Sequence, residues 1–241
     1  MRDSRGAHQR GLSLLIVMVV LLLSMLLVLW ASRTALFNEM VTGNDSDYQR
    51  ALEAAHAMVR DAEFDIENQR SDGSACSSAG STGCRRNAAG VTAGLAFFPE
   101  SSADFDVLAS SFSENGPTCR DGVCIATRVK DGFWTATAGS MGLAAMKKVA
   151  ATYGQYTGAV DGDIGNPLLK AGSSRETAKA WYWVEVLPYD LGSAVGGGAA
   201  HAFAPDSTSP YVYRITAVAQ GLKKGTQATV QSTFVWKKSS S

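Results

Sequence analysis

Apolar and polar residues are distributed very unevenly along the chain. Residues 1–11 (MRDSRGAHQRG) are polar and carry Arg2, Arg5 and Arg10 against Asp3 alone. From Leu12 to Ala31 the only polar side chains are Ser13 and Ser24. That run is about 20 residues, or about 30 Å as a helix, which matches the hydrocarbon thickness of a bilayer. The arginines in front of it keep residues 1–11 cytoplasmic and place everything after Ala31 outside the inner membrane. Residues 34–70 contain no Pro, and apolar or small residues recur at Leu36, Met40, Ala51, Leu52, Ala55, Val59, Ala62 and Ile66, mostly three or four apart. Glu39, Asp47, Arg50, Glu53, Arg60, Asp61 and Glu67 fall largely between them. Residues 32–70 therefore read as an amphipathic helix that continues the apolar one, about 85 Å in all. Gly43 and Asn44 are its weak point, where a bend or local melting is expected.

After the helix the pattern changes to that of a loop-rich sheet domain over 71–241. Residues 71–90 (SDGSACSSAGSTGCRRNAAG) read as an exit loop. Asp121-Gly122 is a two-residue hairpin turn; it makes Arg120 and Val123 the flanking pair and sets Cys119 opposite Cys124. Val123–Val129 and Phe133–Ala138 read as a second hairpin through Lys130-Asp131-Gly132, and residues 141–153 as a short helix. Trp181–Leu187, Tyr211–Gln220 and Ala228–Trp236 have strand composition or alternation. One antiparallel sheet laid on the second half of the N-terminal helix buries an apolar face of each, an α+β architecture. The stretches 154–175 and 188–210 exceed ordinary connectors and read either as surfaces for partner subunits or as mobile segments.

Composition sharpens this picture. Of 241 residues, 22 are basic and 22 acidic, so no basic excess points to nucleic acid. Charged residues are only 18% and Gly is high at 24, which suits an exported domain. Four cysteines allow three connectivities. Local pairing, Cys76–Cys84 and Cys119–Cys124, is the simplest, and export gives an oxidising compartment. A zinc site would want closer spacing. His8, His56 and His201 lack metal-ligand spacing, and no hydrolase, metalloprotease or phosphate-loop motif occurs. The run from Asp161 to Asn166 lacks the acid that closes a calcium loop and reads as a solvated turn. Trp181-Tyr182-Trp183 reads as core rather than as a carbohydrate platform. No catalytic residue, metal or cofactor is expected.

A short basic leader ending in Gly11, followed by an unbroken hydrophobic helix, resembles a type IV prepilin. The stretch from Arg33 through Glu39-Met40-Val41-Thr42-Gly43-Asn44, with Gln49–Ala55 and Arg60-Asp61-Ala62-Glu63, is similar to the N-terminal region of the PilX family of minor pilins; Tyr213–Ala217 and Gln231–Phe234 resemble that family's final strands. The resemblance covers residues 10–63 closely and does not reach about 70–205. It implies cleavage by a prepilin peptidase between Gly11 and Leu12 and N-methylation of Leu12. It also implies a minor pilin that primes a type IV pilus with other minor pilins. The implied partners are the major pilin, the inner-membrane assembly machinery and a possible tip adhesin; adhesion and twitching motility come by the same analogy. The chain would sit in the inner membrane as a single-pass protein, its C-terminal domain periplasmic, until it enters the fibre. Major pilins carry Glu at the fifth mature position, where this chain has Ile16. A carboxylate there meets a neighbour's charged N-terminus, so its absence suits a subunit at or near the fibre tip, unless minor pilins dispense with it generally.

Two other readings stay open from the sequence. One is a minor pseudopilin of a type II secretion system. The other is a signal-anchored periplasmic enzyme or receptor, which would keep residues 1–11 and end its apolar helix near Ala31. A conventional signal peptide fits less well, since its apolar core is shorter and leads to a small-residue cleavage site.

Overall fold

The computed structural model describes residues 9–76, 83–87, 90–112, 119–126, 129–136, 139, 141–159, 166–170, 175, 177–190, 192, 204–207 and 209–237. Helix α1 spans Gln9–Ile66 and is unbroken through Gly43 and Asn44, with no melted turn at that pair. The chain divides into two compact units, residues 1–46 and residues 47–241, and the boundary falls within α1. In the first unit every side chain from Ser13 to Thr42 is exposed. Leu36 and Met40, expected on the apolar face of an amphipathic segment, belong to this exposed stretch; packing of α1 begins only at Asp47.

The second unit is built on a five-stranded sheet in the order β3-β4-β5-β6-β7. Its strands are β3 (Cys119–Arg120), β4 (Val123–Ile125), β5 (Ala180–Pro188), β6 (Tyr211–Gln220) and β7 (Gln227–Phe234). A separate two-residue pair, β1 (Arg86–Asn87) and β2 (Gly90–Val91), lies in the exit segment. Alternation along the long strands sends successive side chains to opposite faces. Tyr182, Val184, Tyr213, Ile215, Ala217 and Ala219 face one core, which includes Ala51, Ala54, Ala55, Met58, Ala62 and Ile66 of α1. The alanines turn small side chains to the sheet, and Met58 and Ile66 fill much of the volume between helix and sheet. Trp181, Trp183 and Val218 face a second core with Phe133, Met146 and Ala150, closed by the Cys119–Cys124 bridge.

The hairpin at Asp121-Gly122 has the register its sequence dictates: Cys119 opposes Cys124 with Cα atoms 4.1 Å apart, and Arg120 opposes Val123. Asp121 and Gly122 both take positive φ, 55° and 80°, as this turn demands. Gly122 has a second constraint. A Cβ there would come within 2.7 Å of the Ala151 Cβ, because residues 149–151 thread past the turn to bond both Gly122 and Tyr182.

Several expectations need correction. The sheet is mostly antiparallel, but β4 pairs with β5 in parallel, Val123 opposite Val184. Residues 126–179 form the crossover between them, so β4 cannot continue into a hairpin with the following segment. Phe133–Thr135 is a 3-10 turn rather than a strand, and Phe133 packs edge-on against Trp183 with ring centroids 4.9 Å apart. The short helix is confined to α3, Leu143–Lys147. Helix α2, Ser102–Ser111, was not expected. Ser101 caps it by accepting from the Asp104 N–H, and that Ser-x-x-Asp spacing is a readable start signal.

Candidate functional site

The first unit offers an apolar surface on all sides of a helix. Between Ser13 and Ser32 there is no charged residue, and the stretch is long and apolar enough to cross a membrane. The Ser24 hydroxyl donates to the Leu21 carbonyl, and just beyond the stretch the Thr34 hydroxyl donates to that of Trp30. Such back-bonding lets a hydroxyl sit where no water is available. Ile16 is 53% exposed on this surface. Gly11 and Leu12 lie within the backbone of α1, but their side chains fall outside the described residues.

In the second unit the chemistry gathers on the packed stripe of α1. Asp47, Asp61 and Asp65 are all buried, although Asp47 and Asp61 were expected on the polar face. The spacing explains this. Asp47, Ala51, Ala54, Met58, Asp61 and Asp65 follow one another at three or four residues, and so share one stripe. A carboxylate on such a stripe needs partners, and each of the three has found different ones.

Asp47 holds the β6–β7 turn. Its two oxygens accept from the backbone N–H groups of Leu222 and Lys223, each at 2.9 Å, and Arg50 approaches to 3.7 Å. Burial works against the charge, but the two N–H groups, with Thr226 and Arg50, outweigh it and hold the carboxyl below its usual pKa. Gly221 is required beside it, because a Cβ at that position would run into the Asp47 carboxylate and Thr226.

Asp61 ties α1 to the turn at 153–157. It accepts from the Thr157 hydroxyl and, at 2.8 Å, from the Gly154 N–H. Burial pushes its pKa up to about 6, and the Asp65 charge adds to this against the two hydrogen bonds and Arg85.

Asp65 pairs with Arg85, and both are fully enclosed. The Arg85 Nε lies 2.8 and 2.9 Å from the two carboxylate oxygens. Its other nitrogens donate to the carbonyls of Ala96 at 2.7 Å and Asp121 at 2.6 Å. The guanidinium also stacks 3.6 Å from the Tyr156 ring centroid. Tyr182 donates its hydroxyl to Asp65 at 2.7 Å. Burial alone would lower the Arg85 pKa, yet the Asp65 charge raises it. Arg85 directly follows Cys84, whose bridge to Cys76 fixes the entry of the arginine into the core.

These carboxylates are saturated by their own chain. Their arrangement attaches a sheet to a helix; among the described residues no cluster could hold a metal ion. His56 is exposed on α1, while His8, His201 and residues 161–165 lie outside the described residues. Asn166 donates to the Arg50 carbonyl and accepts from the Leu168 N–H, so its side chain serves as a cap. Trp181, Tyr182 and Trp183 are fully buried on alternating faces.

A family model described as "Type IV pilus assembly protein PilX C-term" matches residues 72–236, more than half of the chain. No curated protein and no solved structure gives a match.

Proposed function

The chain belongs to the PilX family of type IV pilus assembly proteins, and from that premise we propose that it is a minor pilin whose apolar helix anchors it in the inner membrane and then enters the pilus. The observation that carries this reading is the exposed, uncharged surface of α1 from Ser13 to Ser32, continuous in chain with a folded domain. Such a surface needs a dry environment, and both lipid and the packed helices of a fibre provide one. The prepilin-like leader agrees with it: Gly11 has no side chain to hinder cleavage before Leu12.

In this reading, prepilin peptidase removes residues 1–11, Leu12 becomes the methylated N-terminus, and the second unit is periplasmic. The chain joins other minor pilins to start assembly, and Ile16, which lacks a carboxylate, favours a place at or near the tip. The role is structural. Mass spectrometry of the protein purified from its native membrane is the test: a mature species beginning at methylated Leu12 is expected, and a chain that retains residues 1–11 would overturn the reading. For the position in the fibre, Ile16→Glu is expected to alter incorporation or tip localisation; an unaltered distribution removes the tip assignment.

A further inference from the structure

The C-terminal turn of α3, the residue preceding β5 and the β6–β7 turn bring five lysines to one side of the sheet: Lys147, Lys148, Lys179, Lys223 and Lys224. They border two hollows of about 620 and 410 Å³ that share Gln220 and Gln227 as a common wall. No carboxylate lines either hollow among the described residues. Of these lysines, Lys147, Lys148, Lys179 and Lys224 have no ion pair there. In a chain with equal numbers of acids and bases, this is a local concentration of positive charge, offset at the β6–β7 turn by the buried Asp47 carboxylate that accepts from the Lys223 N–H.

Lys147 shows how the groove is built. Its Nζ donates to Gln220 Oε1 at 2.8 Å and stands 4.0 Å from the Trp181 ring centroid. The ammonium is therefore held in place while further N–H donors remain unused. Burial, and then the charge of Lys179, push its pKa below the ordinary lysine value, as expected where an anion is missing. From Gln227 the same face of β7 continues through Thr229, Gln231 and Thr233. Gln231 donates to the Thr216 hydroxyl, so part of this amide and hydroxyl row is also set in position.

We propose that this groove and the polar row of β7 bind a strand of acidic polysaccharide. The lysine ammoniums would pair with carboxylates spaced along the polymer, and the amides and hydroxyls of β7 would exchange hydrogen bonds with sugar hydroxyls. Alternating Gln and Thr suit a ligand that both donates and accepts at every unit. Single-stranded nucleic acid calls instead for a row of aromatic platforms along its track; Trp134 lines the hollow beside Gln227, but the face of β7 from Gln227 to Thr233 carries no aromatic to continue it. The site goes beyond the pilus role and does not depend on it.

The test is binding of the full chain in detergent micelles to a polyuronate such as alginate, with neutral dextran and a single-stranded oligothymidylate of matched charge as comparisons. Alginate is expected to bind, with an affinity that falls as salt rises, and dextran to stay unbound. The double change Lys147→Gln with Lys179→Gln is expected to weaken alginate binding about tenfold or more, and Lys170→Gln, outside the groove, to leave it unchanged. If loss of Lys147 disturbs folding, Lys179→Gln with Lys224→Gln, both at exposed positions, gives the same reading. Absent alginate binding, binding indifferent to the lysines, or oligothymidylate binding as tight as that of alginate each overturns the proposal.

Discussion

Replacing Asp65 by Asn tests how α1 is held to the sheet. The substitution keeps the shape of the side chain and removes its charge. Arg85 would then be a buried cation facing a neutral amide oxygen, with two carbonyls, Ala96 and Asp121, and the Tyr156 and Phe98 rings as its other partners. Breaking a buried ion pair from one side costs about 3–5 kcal/mol, because the remaining charge is uncompensated. For a chain of this size about 2–4 °C of Tm accompanies each kcal/mol, so a fall of roughly 6–20 °C is expected. The double change Asp65→Leu with Arg85→Met removes both charges. It leaves the two carbonyls and the Tyr182 hydroxyl without their partners, at about 1 kcal/mol or more each, and fills part of the space with apolar atoms. Its loss should therefore be well below the sum of the two single changes, a coupling of at least about 2 kcal/mol. Thermal and denaturant unfolding of the full chain in micelles, followed by circular dichroism, reads both quantities. A single-variant loss under about 1 kcal/mol, or additivity within about 0.5 kcal/mol, would refute the pairing as the main attachment.

Three further outcomes follow from the same region. The native pKa of Asp61 is about 6 against an ordinary 3.8, so the folded state binds the proton more tightly than the unfolded one; its contribution is fully present below about pH 3.8 and is lost as pH rises through 6. Asp61→Asn, whose Oδ1 can accept from the Gly154 N–H while its amide donates to the Thr157 hydroxyl oxygen, should abolish that component of the slope between pH 4 and 6, and an unchanged difference between pH 4 and 7 would count against it. Gly221→Ala should cost more than about 1 kcal/mol, since the new methyl meets the Asp47 carboxylate and Thr226; a neutral melting temperature would show that the turn can shift. Replacing Cys76 and Cys84 together by Ser opens a short loop and should cost about 2–3 kcal/mol, measurable by denaturant unfolding; no loss would show that Arg85 needs no help to reach Asp65.

What could be read in advance depended on whether an element is decided locally. The apolar run, the β6 and β7 alternation and the Asp121-Gly122 turn each follow from neighbouring residues alone, and the Cys119–Cys124 pairing followed from the turn. Helix α2 carries an equally local start signal in Ser101 and Asp104. By contrast, β4 pairs with β5 across residues 126–179, and nothing near Val123 specifies a parallel partner. The burial of Asp47 and Asp61 lies between these cases. Their spacing places them on the stripe of Ala51, Ala54 and Met58, whereas their charge alone points to the polar face. Their partners, the N–H groups of Leu222 and Lys223 and the turn at Gly154–Thr157, are far away in sequence.

The carboxylates of α1 also account for the point at which the helix changes its role. Secondary structure is the same before and after residue 47, and charged residues already begin upstream at Arg33, so neither helix propensity nor the end of the apolar run marks the division. From Asp47 onward the packed stripe carries three acids that only this domain's own donors can satisfy: the β6–β7 turn, the 154–157 turn and Arg85 with Tyr182. An unpaired acid in an apolar contact would cost several kcal/mol, so an alternative packing of this segment against lipid or a neighbouring helix is disfavoured by more than the loss of apolar contacts. Upstream, between Ser13 and Ser32, no such group restricts the choice of neighbour. The helix can pass from one dry surrounding to another there without leaving a charge unpaired. Placing acids on one stretch and excluding them from the other thus gives a single continuous helix one segment committed to its own sheet and one free to exchange partners.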